Sequence, residues 1–267
     1  MRVLGIEAFP CGIEGLRAVV RAHLYRAPFE NISKLLLFSR ENRGRFFSLG
    51  EFLEGIEKQD LGGTCYSLNP YLASLLRALG YETDLLGADM PPRLNTHTCL
   101  RVRVHTVAYH VDVGYGAPFR EPVRLDRLPF ELIEGANRYV LERRGERLEM
   151  SVLAGQQRVH GYSVNDSPRS QEFFAGPMQD SFAPTATFLN CIRICSFFED
   201  RSAVLLNRTL SIYRGGNTAE RELNNIAEWQ AALASELRMP RCPAAAAIRA
   251  VEHNSGKPLF ELRAAEA

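Results

Sequence analysis

The sequence lacks an excess of charge of either sign. Its 267 residues include 32 lysines and arginines and 31 aspartates and glutamates, for a net charge of +1. Proteins whose main partner is nucleic acid or an anionic membrane surface usually carry a clear excess of basic residues. Neither partner is therefore expected here. With 46% hydrophobic and 24% charged residues, the composition is that of an ordinary globular protein.

Long apolar runs are missing as well. No segment approaches the roughly 18 consecutive apolar residues that a membrane-spanning helix needs. The N-terminal segment reaches Glu7 too early to form the apolar core of a signal peptide. We therefore expect a cytoplasmic protein with no membrane partner.

Cysteine pairs of the CxxC type are also absent from the six cysteines. Zinc-binding and thioredoxin-like roles are therefore not indicated, and no metal is expected. Cys191 and Cys195 are four residues apart, which would place two buried structural thiols on one face of a helix. Disulfides are not expected in a reducing compartment. No Walker or Rossmann glycine pattern predicts a nucleotide site.

The spacing of apolar residues changes along the chain. Residues 1–85 are mainly helical by periodicity, with a helix over 65–79 that Gly80 ends. From residue 81 to about residue 153, apolar and polar residues alternate, as in the segments on either side of residue 105, which predicts an antiparallel sheet or barrel. Residues 166–184 are expected to be rich in loops. Residues 186–267 mix strand and helix. The predicted elements there are a strand over 202–213, a helix over 218–237 and a short tail.

Cys65 follows two glycines and a threonine at the start of a predicted helix. The partial positive charge at a helix N-terminus favours a thiolate. Gly62 and Gly63 carry no side-chain bulk, so backbone N–H groups can approach a developing oxyanion. The pattern fits a nucleophile, and it also fits a small buried residue at a tight helix start.

A thiolate nucleophile needs a base and a group that orients the base. A hairpin turning around residues 103–106 would set His97 and Asp112 directly opposite each other, on one face of the sheet and about 5 Å apart at Cβ. His110 shares the face of Asp112 and is the competing base. His105 falls at the turn. Either His97 or His110 alone also fits a surface or edge position.

Three motifs together resemble the arylamine N-acetyltransferase family: Gly62-Gly-Thr-Cys-Tyr66, Thr96-His97 and Val111-Asp-Val-Gly-Tyr-Gly116. The segments 28–31 and 211–213 extend the match, which covers about residues 23 to 237. The resemblance implies an α+β fold of papain-like architecture. It would comprise an N-terminal helical bundle (1–85), a central antiparallel β-barrel (86–185) and a C-terminal α/β lid (186–267). By position, Cys65 matches the nucleophile, His97 the base and Asp112 the orienting acid.

In that family acetyl-coenzyme A acylates the cysteine, and an arylamine, hydrazine or hydroxylamine then takes the acetyl group in a ping-pong reaction. The resemblance therefore implies acetyl-CoA as acyl donor and a small aromatic amine or hydrazine as acceptor. Phe29 and Tyr115 match positions whose rings line the acceptor pocket, although core packing would also explain them. Asn95 and Thr96 precede the base and would face coenzyme A between barrel and lid, although an ordinary loop fits them as well.

Two positions near the nucleophile depart from the family's pattern. The family usually has Arg where Leu61 stands and Glu where Ser67 stands, and these two would pair. Because both are missing together, no orphan buried charge is expected, but the electrostatic surroundings of Cys65 differ. Glu30 and Asn31 are expected to anchor the first segment by buried hydrogen bonds. The compact segment 116–122 leaves the shape of the acceptor pocket open.

The favoured prediction is a cytoplasmic, acetyl-CoA-dependent arylamine N-acetyltransferase of xenobiotic metabolism. Three alternatives stay open. An amide synthase would use the same triad on a carrier-bound acyl chain. A thiol hydrolase would release the acyl group without any amine. A binding protein would retain only a degenerate triad, and its Cys65 would react with iodoacetamide no faster than free cysteine.

Overall fold

The computed structural model describes residues 2–6 and 10–261. The predicted N-terminal segment lies partly outside the described residues, and so does the end of the predicted tail, residues 262–267. Within the described ranges, no helix is long and apolar enough to cross a membrane.

The N-terminal part of the chain is helical, as predicted, because its apolar residues recur at helical spacing. On the first helix, Gly12–Arg26, for example, Leu16, Val19, Val20 and Leu24 share one face and are buried. Gly80 follows the last of these helices with φ +89°, in agreement with the predicted glycine stop. The four helices are α1 (Gly12–Arg26), α2 (Ile32–Glu41), α3 (Leu49–Gln59) and α4 (Cys65–Ala78).

The middle of the chain forms an eight-stranded antiparallel sheet that curls into a nearly closed barrel. Its apolar interior is lined by alternating residues of neighbouring strands, such as Leu141, Met150 and Tyr162. In spatial order the strands are β5 (Val123–Arg124), β4 (Val107–Val111), β3 (Arg93–Val104), β2 (Glu82–Met90), β9 (Gln157–Pro168), β8 (Arg147–Ala154), β7 (Asn137–Arg144) and β6 (Phe130–Glu134).

The hairpin of β3 and β4 turns one residue later than expected. Val104 pairs with Val107 and Leu100 pairs with Val111, so the loop is His105-Thr106. The prediction that His97 and Asp112 lie directly opposite each other is therefore wrong. If this register is continued by one residue, Asp112 lies opposite Cys99. His97 is then the diagonal cross-strand neighbour of Asp112. A shift of two residues preserves the face of the sheet, so the two side chains still meet.

The C-terminal part forms a second, five-stranded sheet flanked by helices. Its first strand, β1 (Phe29–Glu30), comes from the helical region and pairs with β10 (Arg193–Phe197). The predicted single strand over 202–213 is a hairpin of β11 (Ser202–Leu206) and β12 (Thr209–Arg214), to which β13 (Asn217–Glu222) adds the outer edge.

The helices of this part correct three predictions. The helix predicted over 218–237 begins only at Ile226, because 218–222 belongs to β13. The predicted tail contains a full helix. Cys191 and Cys195 do not share a helix face, because Cys195 lies on β10. The helices are α5 (Ala175–Asp180), α6 (Thr187–Asn190), α7 (Ile226–Ser235) and α8 (Ala244–Ser255). All six cysteines are unpaired.

Candidate active site

Cys65 is the first residue of α4, with Thr64 as the N-cap. Cys65 is 8% exposed, and its Sγ lies 3.9 Å from the carbonyl oxygen of Thr96 on β3. Thr98 on the same strand donates a 2.8 Å hydrogen bond from Oγ1 to the carbonyl oxygen of Cys65. The helix N-terminus is therefore fixed against the strand that carries His97.

The structure brings His97 and Asp112 together. Nε2–H of His97 donates to Oδ2 of Asp112 at 2.8 Å, and both side chains are almost fully buried. The imidazole also lies close to Cys65, whose side chain contributes to raising the pKa of the ring. The three predicted residues thus form one chain of contacts from thiol to imidazole to carboxylate.

The carboxylate of Asp112 is held by four hydrogen bonds. Besides His97, Tyr162 donates to Oδ2 from its hydroxyl at 2.8 Å. Oδ1 accepts from the side-chain amide of Asn69 at 3.0 Å and from the N–H of Gly114 at 2.9 Å. A buried charge is tolerated only when it is paired and hydrogen-bonded in this way.

The two buried partners shift each other's pKa in opposite directions. Burial alone would lower the pKa of His97, but the charge and hydrogen bond of Asp112, together with Cys65, raise it above its usual value. Burial would raise the pKa of Asp112, but the charge and hydrogen bond of His97 lower it. The arrangement therefore favours a protonated imidazole beside an ionised carboxylate.

His110, the competing base in the sequence, has a different environment. Since the Tyr162 hydroxyl donates to Asp112, it accepts from Nε2–H of His110 at 2.8 Å. Burial lowers the pKa of His110 to about 4, so this ring stays neutral. His105 is exposed in the β-turn. Among the histidines of the barrel sheet, His97 is the ring that hydrogen-bonds Asp112 and also interacts with Cys65.

Gly114 lets the loop after β4 pack directly on the nucleophile. A Cβ added to Gly114 would lie 2.7 Å from Cα of Cys65 and 2.6 Å from the amide nitrogen of Asn69. Either distance is far inside van der Waals contact. Gly114, the first of the two glycines in the Val111–Gly116 motif, is therefore required because the loop approaches α4 too closely for any side chain.

A cavity of about 450 Å³ opens in front of Cys65 and His97. Phe29, Thr96 and Tyr115 line it, as the predicted pocket and cofactor positions require. Asn95 does not belong to the lining that the described residues form. Its side chain instead accepts a hydrogen bond from Asn165 at 2.9 Å.

Sequence reasoning missed four residues of this site. Asn69 had a usable signal, because it lies four residues after Cys65 and therefore on the same face of α4. Tyr162, His160 and Arg193 had none, since they reach the site from β9 and β10. His160 and Arg193 line the cavity, and Nδ1 of His160 hydrogen-bonds the hydroxyl of Tyr115.

A carboxyl is buried beside the glycines that precede the nucleophile. Glu30 is 0% exposed and forms no ion pair with the residues described. It accepts from the N–H of Ser33 at 2.9 Å and of Gly62 at 3.2 Å. Burial raises its pKa, and these donors offset only part of that effect. Glu30 therefore makes the buried hydrogen bonds expected of it, and the two positions that depart from the family, Leu61 and Ser67, are buried and carry no charge.

The glycines before Cys65 do not supply free N–H groups. The N–H of Gly62 is used by Glu30, and that of Gly63 donates to the carbonyl oxygen of Pro28 at 3.3 Å. Asn31 makes the predicted anchoring bonds. Its amide donates to the carbonyl oxygens of Phe188 at 2.9 Å and Cys191 at 2.7 Å, which ties α2 to the C-terminal part of the molecule.

Within residues 2–6 and 10–261, no group of three or more His, Cys, Asp or Glu side chains is arranged to hold a metal ion. The residues of the site instead have the types that acyl transfer through a thiol requires.

The helical bundle, barrel and second sheet define a papain-like α+β fold. A solved Mycobacterium marinum arylamine N-acetyltransferase in complex with CoA superposes with a TM-score of 0.79 at 22% identity, covering 94% of this chain and 97% of that one. The profile of a family described as N-acetyltransferase matches residues 12–240.

Two curated arylamine N-acetyltransferases agree with this assignment. The Mycolicibacterium smegmatis enzyme is 27% identical over 226 residues, 80% of each chain. The Salmonella typhimurium arylamine N-acetyltransferase / N-hydroxyarylamine O-acetyltransferase is 35% identical over 122 residues, which covers 42% of this chain and 41% of its own length. The chain belongs to the arylamine N-acetyltransferase family and is an acyltransferase.

Proposed function

We propose that this enzyme transfers the acetyl group of acetyl-CoA to arylamines, arylhydrazines or arylhydroxylamines through a thioester on Cys65. The observation that carries the proposal is the contact chain Cys65–His97–Asp112 at the wall of one cavity. Membership of the family supports the reaction type, and the CoA bound to the M. marinum enzyme supports the donor.

In the first half-reaction, the Cys65 thiolate attacks the carbonyl carbon of the acetyl thioester. As the bond to coenzyme A breaks, protonated His97 gives its proton to the leaving sulfur. Asp112 keeps the imidazole oriented and charged until that transfer. The N–H of Cys65 belongs to the first turn of α4, whose N–H groups lack partners within the helix, and can donate to the oxyanion.

In the second half-reaction, the amine nitrogen attacks the acetyl-Cys65 carbon. His97 takes the proton from nitrogen as the thioester bond breaks, and Cys65 leaves as a thiolate. The rings of Phe29 and Tyr115 provide apolar surface for the aromatic acceptor and limit the access of water to the thioester.

For coenzyme A we propose a contact at Thr96, with Asn95 holding this residue in place. Thr96 lines the cavity, and its Oγ1 has no hydrogen-bond partner among the described residues. The groups of Asn95 are already bonded, its side chain to Asn165, its N–H to Asp89 and its carbonyl oxygen to Tyr66.

We propose that three segments of the chain have separate roles in the reaction. Residues 1–85 carry the nucleophile, residues 86–185 carry the base and the acid, and residues 186–267 form the lid over the cavity. Cys191 and Arg193 of the lid segment line the cavity beside Phe29, which supports this division.

The test is acetyl-CoA turnover, measured as free thiol released, with and without a panel of arylamines and hydrazines. Amine-stimulated release is expected in the wild type and should be lost in Cys65→Ala. Cys99→Ala is the matched control, because Cys99 is a buried thiol of the barrel interior that does not line the cavity. Retained turnover in Cys65→Ala would contradict the mechanism.

The same assay separates the alternatives. Release that is independent of amine would indicate a thiol hydrolase. If acetyl-CoA is not used although Cys65 reacts rapidly with iodoacetamide, the amide synthase with another acyl donor is favoured. A Cys65 that reacts no faster than free cysteine would indicate a binding protein.

A further inference from the structure

Arg193 is a cation on the wall of the catalytic cavity, and no acidic side chain of the described residues pairs with it. It is the first residue of β10 and is only partly exposed. Among the described residues it takes part in no ion pair, although most other arginines there do. Its guanidinium lies close to the side chain of Cys195.

The side chains that face Arg193 are neutral at pH 7. Burial raises the pKa of Cys195 and of Tyr115, so both keep their protons. Burial, and then the charge of Arg193, lower the pKa of His160, so its ring is uncharged. Cys191 and Tyr139 also keep their protons, because burial raises the pKa of each.

The carboxyl whose charge acts on Cys195, that of Glu134, is already engaged. It pairs with Arg120 at 3.3 Å and accepts from Ser202 at 2.7 Å. The guanidinium of Arg193 is therefore enclosed without a protein anion. An enclosed charge of this kind is costly unless a ligand supplies the counter-charge.

The geometry relates Arg193 to the reacting sulfur through the loop after β4. Sγ of Cys195, the partner of Arg193, would lie 3.1 Å from a Cβ at Gly116. Cα of Cys65 would lie 2.7 Å from a Cβ at Gly114. Arg193 and Cys65 line the same cavity, so a ligand that fills this cavity can reach both residues.

We propose that Arg193 selects aromatic amines that carry an acidic group on the ring, by pairing its guanidinium with a carboxylate while the amine faces acetylated Cys65. This inference rests on the proposed function. A planar guanidinium binds a carboxylate through two parallel hydrogen bonds, and the neutral rings of Tyr115 and Phe29 would hold the ring between the two ends.

The phosphates of coenzyme A are not the ligand that this position fits. Its thiol must reach Cys65, and the whole pantetheine arm separates that thiol from the phosphates. A cavity of about 450 Å³ holds one aromatic ring with its substituents, whereas phosphates at the far end of that arm would lie outside it.

The experiment compares 4-aminobenzoate with 4-aminobenzamide, which match in ring and shape and differ in charge. We expect the wild type to prefer the acid by about tenfold or more in kcat/KM. Arg193→Met should lower kcat/KM for the acid by roughly 30-fold or more, the loss typical of one partner of an enclosed charge pair. It should leave the amide within about threefold. Arg193→Lys, which keeps the charge without the two-pronged geometry, should lie between them.

Arg158→Met is the matched control. The charge of Arg158 also acts on His160 and Tyr115, but Arg158 is paired with Glu149 at 3.5 Å and does not line the cavity. Its removal should leave the ratio of acid to amide unchanged. An equal fall in that ratio for Arg158→Met would mean that general charge, and not contact with Arg193, determines the selectivity.

Acetylation of Cys65 by acetyl-CoA, followed by mass spectrometry, and turnover of the amide report on the proposed function separately. If both are absent, the proposed function fails. If both are present and the wild type shows no preference for the acid, the inference about Arg193 is overturned without any variant. It is also overturned if Arg193→Met slows acetylation of Cys65 and leaves the ratio of acid to amide unchanged, because Arg193 would then serve the donor.

Discussion

Two regions of the molecule each bury a histidine, and they treat its charge in opposite ways. His97 in the barrel wall is 2% exposed and His23 in the helical bundle is 3% exposed. The pKa of His97 is raised, whereas burial lowers that of His23 to about 4. Both nitrogens of His23 lack a hydrogen-bond partner among the described residues, and its ring stacks on Phe52.

The difference shows that burial alone does not decide the protonation state of a histidine. Both rings experience the same unfavourable removal from water. Only His97 lies beside a carboxylate, Asp112, which is itself fixed by Tyr162, Asn69 and Gly114. A buried histidine thus stays protonated only beside an ionised carboxylate that is itself held by hydrogen bonds, and among the described residues none acts on His23.

The largest effect is expected from removing the imidazole ring of His97. His97→Gln should lower the rate of acetyl transfer by a factor on the order of 10⁶, because no group is left to return a proton to the leaving sulfur. His110→Gln is the control and should cost far less, since His110 contacts Tyr162 and not Cys65. Thiol release measured for both variants shows which of the two histidines is the base. If His110→Gln is the more damaging change, the base is wrongly assigned.

Removing the negative charge of Asp112, the partner of His97, should have the next largest effect. Asp112→Asn should lower the rate by about 10⁴, because the imidazole is no longer held in the required protonation state and orientation. Since Asp112 raises the pKa of His97, its loss lets the imidazole lose its proton at lower pH. The alkaline limb of the pH profile for single-turnover acetylation should therefore move to lower pH. An unmoved limb would show that another group holds the proton.

The unpaired histidine should affect stability and its pH dependence, and not catalysis. Unfolded His23 takes up a proton near pH 6.5, its ordinary value, but folded His23 does so only near pH 4. The free energy of unfolding therefore falls as pH drops from 6.5 towards 4. At pH 4.5 His23→Leu should be more stable than the wild type by about 2–3 kcal/mol relative to their difference at pH 7. Urea unfolding at both pH values measures this.

The outcome that contradicts this assignment is a pH dependence of stability that His23→Leu leaves unchanged. Acetyl transfer at pH 7 should be the same in the variant and the wild type, because His23 lies in the bundle core and does not line the catalytic cavity.

The smallest effect is expected when one hydrogen-bond donor to Asp112 is removed. Tyr162→Phe removes the donor to Asp112 and the acceptor for Nε2–H of His110. It should lower the free energy of unfolding by about 1–2 kcal/mol, because a buried donor loses its partner. Tyr139→Phe is the control, since no hydrogen bond joins the Tyr139 hydroxyl to the residues described. Equal stability of Tyr162→Phe and wild type would mean that His110 finds another acceptor.

The fold could be predicted where residues repeat with a clear period. The faces of α1 and α4 follow from apolar residues at helical spacing, and β3 and β4 follow from strict alternation. The prediction of a helix over 218–222 is wrong, and these residues are all exposed and, apart from Ala219, polar, so they show no apolar periodicity. The segment is a strand only because it pairs with β12, from Tyr213↔Thr218 onward, and propensity is easily overridden by such pairing.

The candidate site was predictable as far as local motifs reach. Cys65, His97 and Asp112 each stand in a short recognisable segment, and the face shared by His97 and Asp112 survived an error in the turn. The register itself was not predictable, because it depends on a loop in which His105 adopts φ +54°, a conformation that is uncommon for any residue other than glycine.

By itself, then, the sequence determined the residue types of the contact chain, the helix start that presents Cys65 and the alternation that builds the barrel. Only the tertiary structure decided that His97 and not His110 meets the thiol, that Tyr162 supports Asp112 from β9, and that Arg193 enters the cavity from β10 without an acid. Periodicity encodes which face a side chain occupies, but the pKa of a buried group depends on neighbours that are distant in sequence, and those are fixed only when the sheets close around it.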